Sequence, residues 1–119
     1  MADQARVLDR AIGKAAVTRS VFVAPGALAA LPEGVRDFKG KPLLVIADDT
    51  TMDVAGRQAM SVLAGAGYAV AEPIVLDEKP RVKPHAATAR EIAAAIRERG
   101  AVPVSVGSGV INDLTKYAA

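Results

Sequence analysis

Cysteine is absent from this 119-residue chain, which excludes a disulfide framework, a thiolate nucleophile and a thiolate metal site. There is a single histidine, His85, so no multi-histidine metal cluster can form within one chain. Tryptophan is missing and Phe and Tyr supply two residues each, leaving almost no aromatic platform for stacking nucleobases. Neither sign of charge is in large excess: 15 Lys and Arg oppose 13 Asp and Glu, a net charge of +2 with His neutral. That scattered balance is too weak a footprint for nucleic acid. No apolar run approaches the roughly 18–20 residues that cross a bilayer. The N-terminal segment carries charge throughout and is followed by no secretory cleavage pattern, so the expectation is a cytoplasmic protein without a nucleic-acid or membrane partner.

What the chain does have is small and β-branched apolar side chains. Ala supplies 25 residues and Val 15, within a hydrophobic fraction of 51% and a charged fraction of 24%. This is a globular balance at a length suited to one compact domain. In the first segment, Val7, Leu8, Ala11, Ile12 and Ala15 recur at offsets of three and four, predicting an amphipathic helix over residues 1–17. Val21-Phe22-Val23 reads as a short strand ended by Pro25-Gly26. A turn around Pro32-Glu33-Gly34 and one further helical turn to Phe38 follow.

The second half is more regular. Pro42 to Ala47 is a continuous apolar run, predicting a strand buried on both faces. Asp48, Asp49, Thr50 and Thr51 are candidate caps for a helix to Ala66, with Val54, Met60, Val62 and Leu63 near helical spacing and Gly67 closing it. Val70 to Leu76 reads as a second strand, and Asp77 to Pro84 as a charged loop. A helix is expected from Ala86 to Arg99, burying Ile92, Ala95 and Ile96 and ended by Gly100. Pro103 to Val106 is a third strand that runs into Gly107-Ser108-Gly109, and Val110 to Tyr117 a helix. Alternation of strand and helix predicts βαβ units and an α/β parallel sheet. With three certain strands, the sheet reads as incomplete: the chain either pairs with something else or is part of a longer protein.

The junction Val104 to Asp113 is the strongest chemical signal. Small residues at a strand-to-helix turn let a phosphate approach the backbone, and the helix start presents free N–H groups and a positive dipole end. Ser108 adds a hydroxyl. The same glycines equally serve a tight turn for geometry alone. No Lys-Ser or Lys-Thr follows, which excludes a P-loop, and the pattern is not G-x-S-x-G, so Ser108 is a poor hydrolase nucleophile. Asp113 is either a favourable charge near the helix start or a substrate-side carboxylate, with Lys116 three residues on. Asp48, at a strand's C-terminal end, is either a helix cap or an acceptor for ribose hydroxyls. Gly26 is a further turn glycine that could line the same crevice. His85, isolated in a Pro-rich loop, reads as a solvent-side residue.

Gly107-Ser108-Gly109-Val110-Ile111-Asn112-Asp113-Leu114-Thr115-Lys116-Tyr117 closely resembles the glycine-rich motif of sn-glycerol-1-phosphate dehydrogenases. These belong to a wider group of iron-containing alcohol dehydrogenases, glycerol dehydrogenases and 3-dehydroquinate synthases. Val23 to Leu28, and Val45 to Thr51 leading to Ala55-Gly56, resemble the same family, so the likeness runs over residues 15–119. Asp49 stands where an acidic residue is usual, and Thr50 replaces a common Asn.

The resemblance implies an incomplete Rossmann-like parallel sheet with flanking helices. It corresponds to the N-terminal nucleotide-binding domain of a dehydroquinate synthase-like fold, with residues 18–119 as a partial domain. It implies NAD or NADP as cofactor, Gly107, Ser108 and Gly109 at the pyrophosphate, Asp48 near the adenosine ribose and Asp113 toward the substrate. Hydride would pass between the nicotinamide and dihydroxyacetone phosphate. Full members continue into a helical domain that holds Zn or Fe through one Asp and two His, and that domain is not in this sequence. The chain is therefore expected to be inactive alone, and to pair with a second copy or with a separate chain supplying the metal-binding domain. The alternative is a non-catalytic, truncated nucleotide-binding or structural α/β module.

Overall fold

Three parallel strands in the order β2-β1-β3 form the centre of the computed structural model, which describes residues 21–119. The helix expected over residues 1–17 lies outside these. The strands are β1 (Leu43–Asp48), β2 (Ile74–Leu76) and β3 (Val102–Val106). Four helical elements accompany them. The first, α1, is a single turn (Leu31–Gly34); α2 runs continuously through Asp49–Thr51, a π-helical turn at Met52–Gly56 and Arg57–Gly65; α3 is Ala86–Arg99 and α4 is Gly109–Ala118.

Strand β1 is central because it is apolar on both faces. Leu43 to Ala47 are all completely buried. Side chains alternate across a strand, so one set faces each layer. Leu44 and Ile46 pack with Ala89 and Ile92 of α3 and Ile111 and Leu114 of α4. On the other face Leu43 packs with Leu63 and Tyr68, and Val45 and Ala47 pack with Met52. Each fully buried Leu, Ile or Val contributes about 1.5–3 kcal/mol. The result is an α/β domain with a small parallel sheet flanked by helices, as the strand–helix alternation predicts.

Four local expectations are corrected. Val21-Phe22-Val23 is not a strand; these residues are 41%, 48% and 63% exposed, and no neighbouring strand among the described residues supplies the hydrogen bonds that β-prone residues need. The strand expected from Val70 is confined to Ile74–Leu76, with an isolated bridge from Leu43 to Val70. The pairings Leu43 with Val70 and Ile46 with Ile74 leave one extra residue on the β2 side. That bulge contains Pro73, which has no N–H to give the ladder.

Val54 is the third, at 74% exposure. The buried face of α2 is Met52, Gly56, Ala59 and Leu63. Gly56 leaves room for a neighbour on the same helix: a Cβ there would stand 2.6 Å from Met52 Sδ, one turn back. Last, Ala95 and Ile96 of α3 are half-buried, and the fully covered positions are Ala89 and Ile92. The limits of α3 itself are as expected, with Gly100 at φ 57 ending it.

Candidate functional site: a crevice between two strand-to-helix turns

Strands β1 and β3 are neighbours, and the helices that follow them leave on opposite faces of the sheet. After β1 the chain turns into α2, on the side of Val45 and Ala47. After β3 it turns into α4, on the side of Leu44 and Ile46. The crevice beyond the C-terminal ends of β1 and β3 is thus a topological switch point, where parallel α/β sheets bind ligands. Its walls are Asp48 to Thr51 and Gly107 to Gly109.

The turn after β1 is held by its own side chains. Asp48 has extended backbone angles, and its Oδ1 accepts the Thr51 N–H at 2.7 Å while Thr51 Oγ1 accepts the Asp48 N–H at 3.1 Å. This reciprocal capping box satisfies two amides that the helix start leaves without acceptors. Asp49 Oδ1 accepts the Thr50 N–H at 2.9 Å, and its second oxygen pairs with Lys79 from the loop after β2. The Lys79 hydrogen bond holds the Asp49 carboxyl below its usual range, and Asp49 in turn raises the Lys79 ammonium.

The turn after β3 is different. A Cβ on Gly107 would lie 2.8 Å from Ile111 Cγ1, 3.0 Å from Ile111 Cβ and 3.3 Å from Thr51 Oγ1, so glycine is needed for helix α4 to sit against the strand. Ser108 is the N-cap of α4 with φ −76 and ψ −176, yet its hydroxyl makes no cap hydrogen bond. Gly109 opens the helix into free space, with nothing within 4 Å of a Cβ. The first amides of α4 therefore face a gap beside an exposed hydroxyl, which suits an anion's approach. Thr51 joins the two turns: its Oγ1 lies 2.8 Å from the Val106 carbonyl oxygen, immediately before Gly107.

The other candidates do not line this crevice. Asp113 is exposed on α4 and lines a groove of about 180 Å³ with Pro84, His85, Ala89, Leu114 and Tyr117, between α3 and α4. His85 Nε2 lies 2.8 Å from Glu78 Oε2, and Glu78 Oε1 accepts the Lys83 N–H at 2.6 Å. Those contacts, the Lys83 amide foremost, hold the Glu78 carboxyl below its usual range. Gly26, at φ 74, precedes a short 3-10 turn at Ala27–Ala30. The structure thus brings Asp48 and Gly107 together through Thr51, and sets Asp113 in the adjoining groove. Thr51 was legible only as a cap, and Lys79 only as a loop charge. The Asp-x-x-Thr spacing signals the capping box, but nothing local signals the bond to Val106.

A parallel α/β domain with an open, glycine-lined helix start at its switch point belongs to the nucleotide-binding class of folds. More particularly, the chain belongs to the iron-containing alcohol dehydrogenase family, whose model matches residues 22–119. No curated protein and no solved structure was found to match it. The family brings a general NAD(P)-binding, oxidoreductase character and an association with metal cofactors. At Ser108 and Gly109 the helix start is open, with an unused cap hydroxyl and nothing within 4 Å of a Gly109 Cβ. The metal does not fit: among the described residues no group of three or more His, Cys, Asp or Glu is placed to hold an ion. No helix among them is long and apolar enough to cross a membrane.

Proposed function

We propose that this chain is the NAD(P)-binding portion of an oxidoreductase of the sn-glycerol-1-phosphate dehydrogenase type, which moves hydride between NAD(P)H and dihydroxyacetone phosphate. The single observation that supports it most is the uncapped turn at Ser108 and Gly109, open at the switch point. The motif running on through Asn112, Asp113, Lys116 and Tyr117 supports the particular subfamily. When bound, the nicotinamide supplies the hydride chemistry. The residues of this chain orient it. Ser108 and the first amides of α4 receive the pyrophosphate, and Gly107 keeps α4 close enough to aim them. Asp48 uses Oδ1 for its cap and keeps Oδ2 for the adenosine ribose hydroxyls. Asp113 faces the polar substrate from the groove beside α4. On this reading the metal is held by residues outside this sequence, in a separate chain that supplies the metal-binding domain, and the chain by itself is inactive.

A second reading, a structural module whose glycines serve only the turn, draws on the blocked Cβ position of Gly107, which packing against Ile111 explains without any ligand. Calorimetric titration of NAD and then NADP into the purified chain separates the two, with circular dichroism confirming the fold. The nucleotide reading expects saturable heat with one cofactor. That heat should vanish on Ser108→Asp, which sets a carboxylate where the pyrophosphate belongs without touching the core. It should vanish too on Gly107→Val. A folded chain that gives no heat with either cofactor sinks the first reading and leaves the module.

A further inference from the structure

We propose that Thr51 is a positioning residue for the glycine-rich turn: its hydroxyl ties the end of β1 to the end of β3 and so fixes where the first amides of α4 point. The argument begins with the valence of that oxygen. A threonine hydroxyl has one proton to give and two lone pairs with which to accept. Thr51 Oγ1 accepts the Asp48 N–H at 3.1 Å, which uses one lone pair. Its one proton has two oxygens in reach, Val106 O at 2.8 Å and Asp48 Oδ1 at 2.9 Å. Asp48 Oδ1 keeps the Thr51 amide at 2.7 Å whichever way that proton turns. The contact to Val106 is therefore a tie between segments 55 positions apart, not part of the local cap.

Geometry makes the tie consequential. Val106 is the last residue of β3, and its carbonyl belongs to the peptide that continues into Gly107. On its other side, the Gly107 Cβ position is walled by Ile111 at 2.8 Å and by the same Thr51 oxygen at 3.3 Å. Thr51 thus both holds the peptide before the turn and limits the turn's sideways movement. Ser108 adds no cap bond of its own, so the start of α4 has no local side chain to fix it. A turn held from across the sheet keeps its amides free for a ligand, whereas a turn held by its own cap would use one of them. Thr51 does not touch the anion in this account; it acts through the Val106–Gly107 peptide.

The binding consequence rests on the nucleotide reading above; the positioning itself does not, and two measurements on the full chain keep them apart. In hydrogen exchange without cofactor, Thr51→Val, which fills the same space without a donor or acceptor, should speed exchange of the Asn112 to Thr115 amides, the first that α4 itself hydrogen-bonds, about tenfold. Amides of α3 should keep their protection, and Thr51→Ser should restore the turn to the wild-type rate. Thr51→Cys keeps the volume with only a weak S–H donor and should give the same change in milder form, should the valine variant fold poorly. In titration with NAD or NADP, Thr51→Val should weaken binding roughly tenfold and Thr51→Ser should recover it. Unchanged exchange at residues 112–115 in both the valine and cysteine variants overturns the positioning role, whatever the cofactor does. Faster exchange in a chain whose wild type binds neither cofactor upholds the positioning role and overturns only the nucleotide reading.

Discussion

The two strand-to-helix turns that wall the crevice solve the same problem in opposite ways. Both follow strands of one sheet, both start a helix, and both place a preferred N-cap residue, Asp48 or Ser108, in extended conformation. The first satisfies its amides internally through the capping box and adds an ion pair from Asp49 to Lys79. The second leaves its cap hydroxyl unused, replaces side chains by glycine on both flanks, and takes its support from Thr51 of the first. A turn that completes its own hydrogen bonds is a structural joint. One that is held from elsewhere and left incomplete is a place for something else to bind. On the proposed function the open turn takes the pyrophosphate, and the closed turn offers only the remaining oxygen of Asp48.

Substitutions can sharpen or break this contrast. The largest effect should come from Gly107→Ala, because the new methyl group meets Ile111 at its branched Cβ, which cannot swing aside. We expect a loss of about 1–3 kcal/mol in denaturant unfolding. Adding Ile111→Ala, which removes Cγ1 but keeps the Cβ, should relieve part of the crowding, so that the double variant loses less than the sum of the two single changes. Full additivity of the two changes would show that the Gly107 contact is not the cause.

Next comes the paired test of the caps. Asp48→Ala should cost about 1–2 kcal/mol, since the Thr51 amide loses its acceptor, whereas Ser108→Ala should change stability by less than about 0.5 kcal/mol. Equal costs would erase the distinction between a closed and an open turn. Gly109→Ala should be smaller again and of opposite sign. Its Cβ meets open space, so stability should rise by a few tenths of a kcal/mol to about 1 kcal/mol, while cofactor titration shows weaker binding as the methyl group crowds the approach.

The smallest effect is in acid. Asp49 has its carboxyl held low by Lys79, so its contribution is complete above the usual carboxylate range. It fades as pH falls through the lowered folded value. Melting temperatures of the wild type should therefore decline more in acid than those of Asp49→Asn, and the two curves should converge once the carboxylate is protonated. On the alkaline side, the raised Lys79 keeps its contribution until pH passes through its own elevated value. The exposure of both groups keeps each effect small.

Much of the scaffold was legible because the relevant signals are local. The run from Leu43 to Ala47 is apolar at every position, which only a strand covered on both faces tolerates, and all five residues are completely buried. Gly100 stops α3 at the expected residue by adopting a left-handed conformation at no steric cost. Where the reading failed, the deciding partner was distant. Val21 to Val23 has strand composition without a strand to pair with among the described residues. Val54 is bulky and apolar, but the buried face of α2 is Met52, Gly56, Ala59 and Leu63, because Met52 and Leu63 dock against β1.

The same division runs through the site. Sequence by itself determined the glycine-rich turn, the carboxylate ending β1 and the family to which residues 22–119 belong, since turn chemistry and motif order are properties of neighbours along the chain. Only the tertiary structure decided that these turns share one crevice, that Asp113 lies in the groove beside it, and that Thr51 reaches Val106 at 2.8 Å. The reason is physical: a cap or a glycine acts within a few residues, whereas the β2-β1-β3 order makes neighbours of strands that lie more than 50 residues apart.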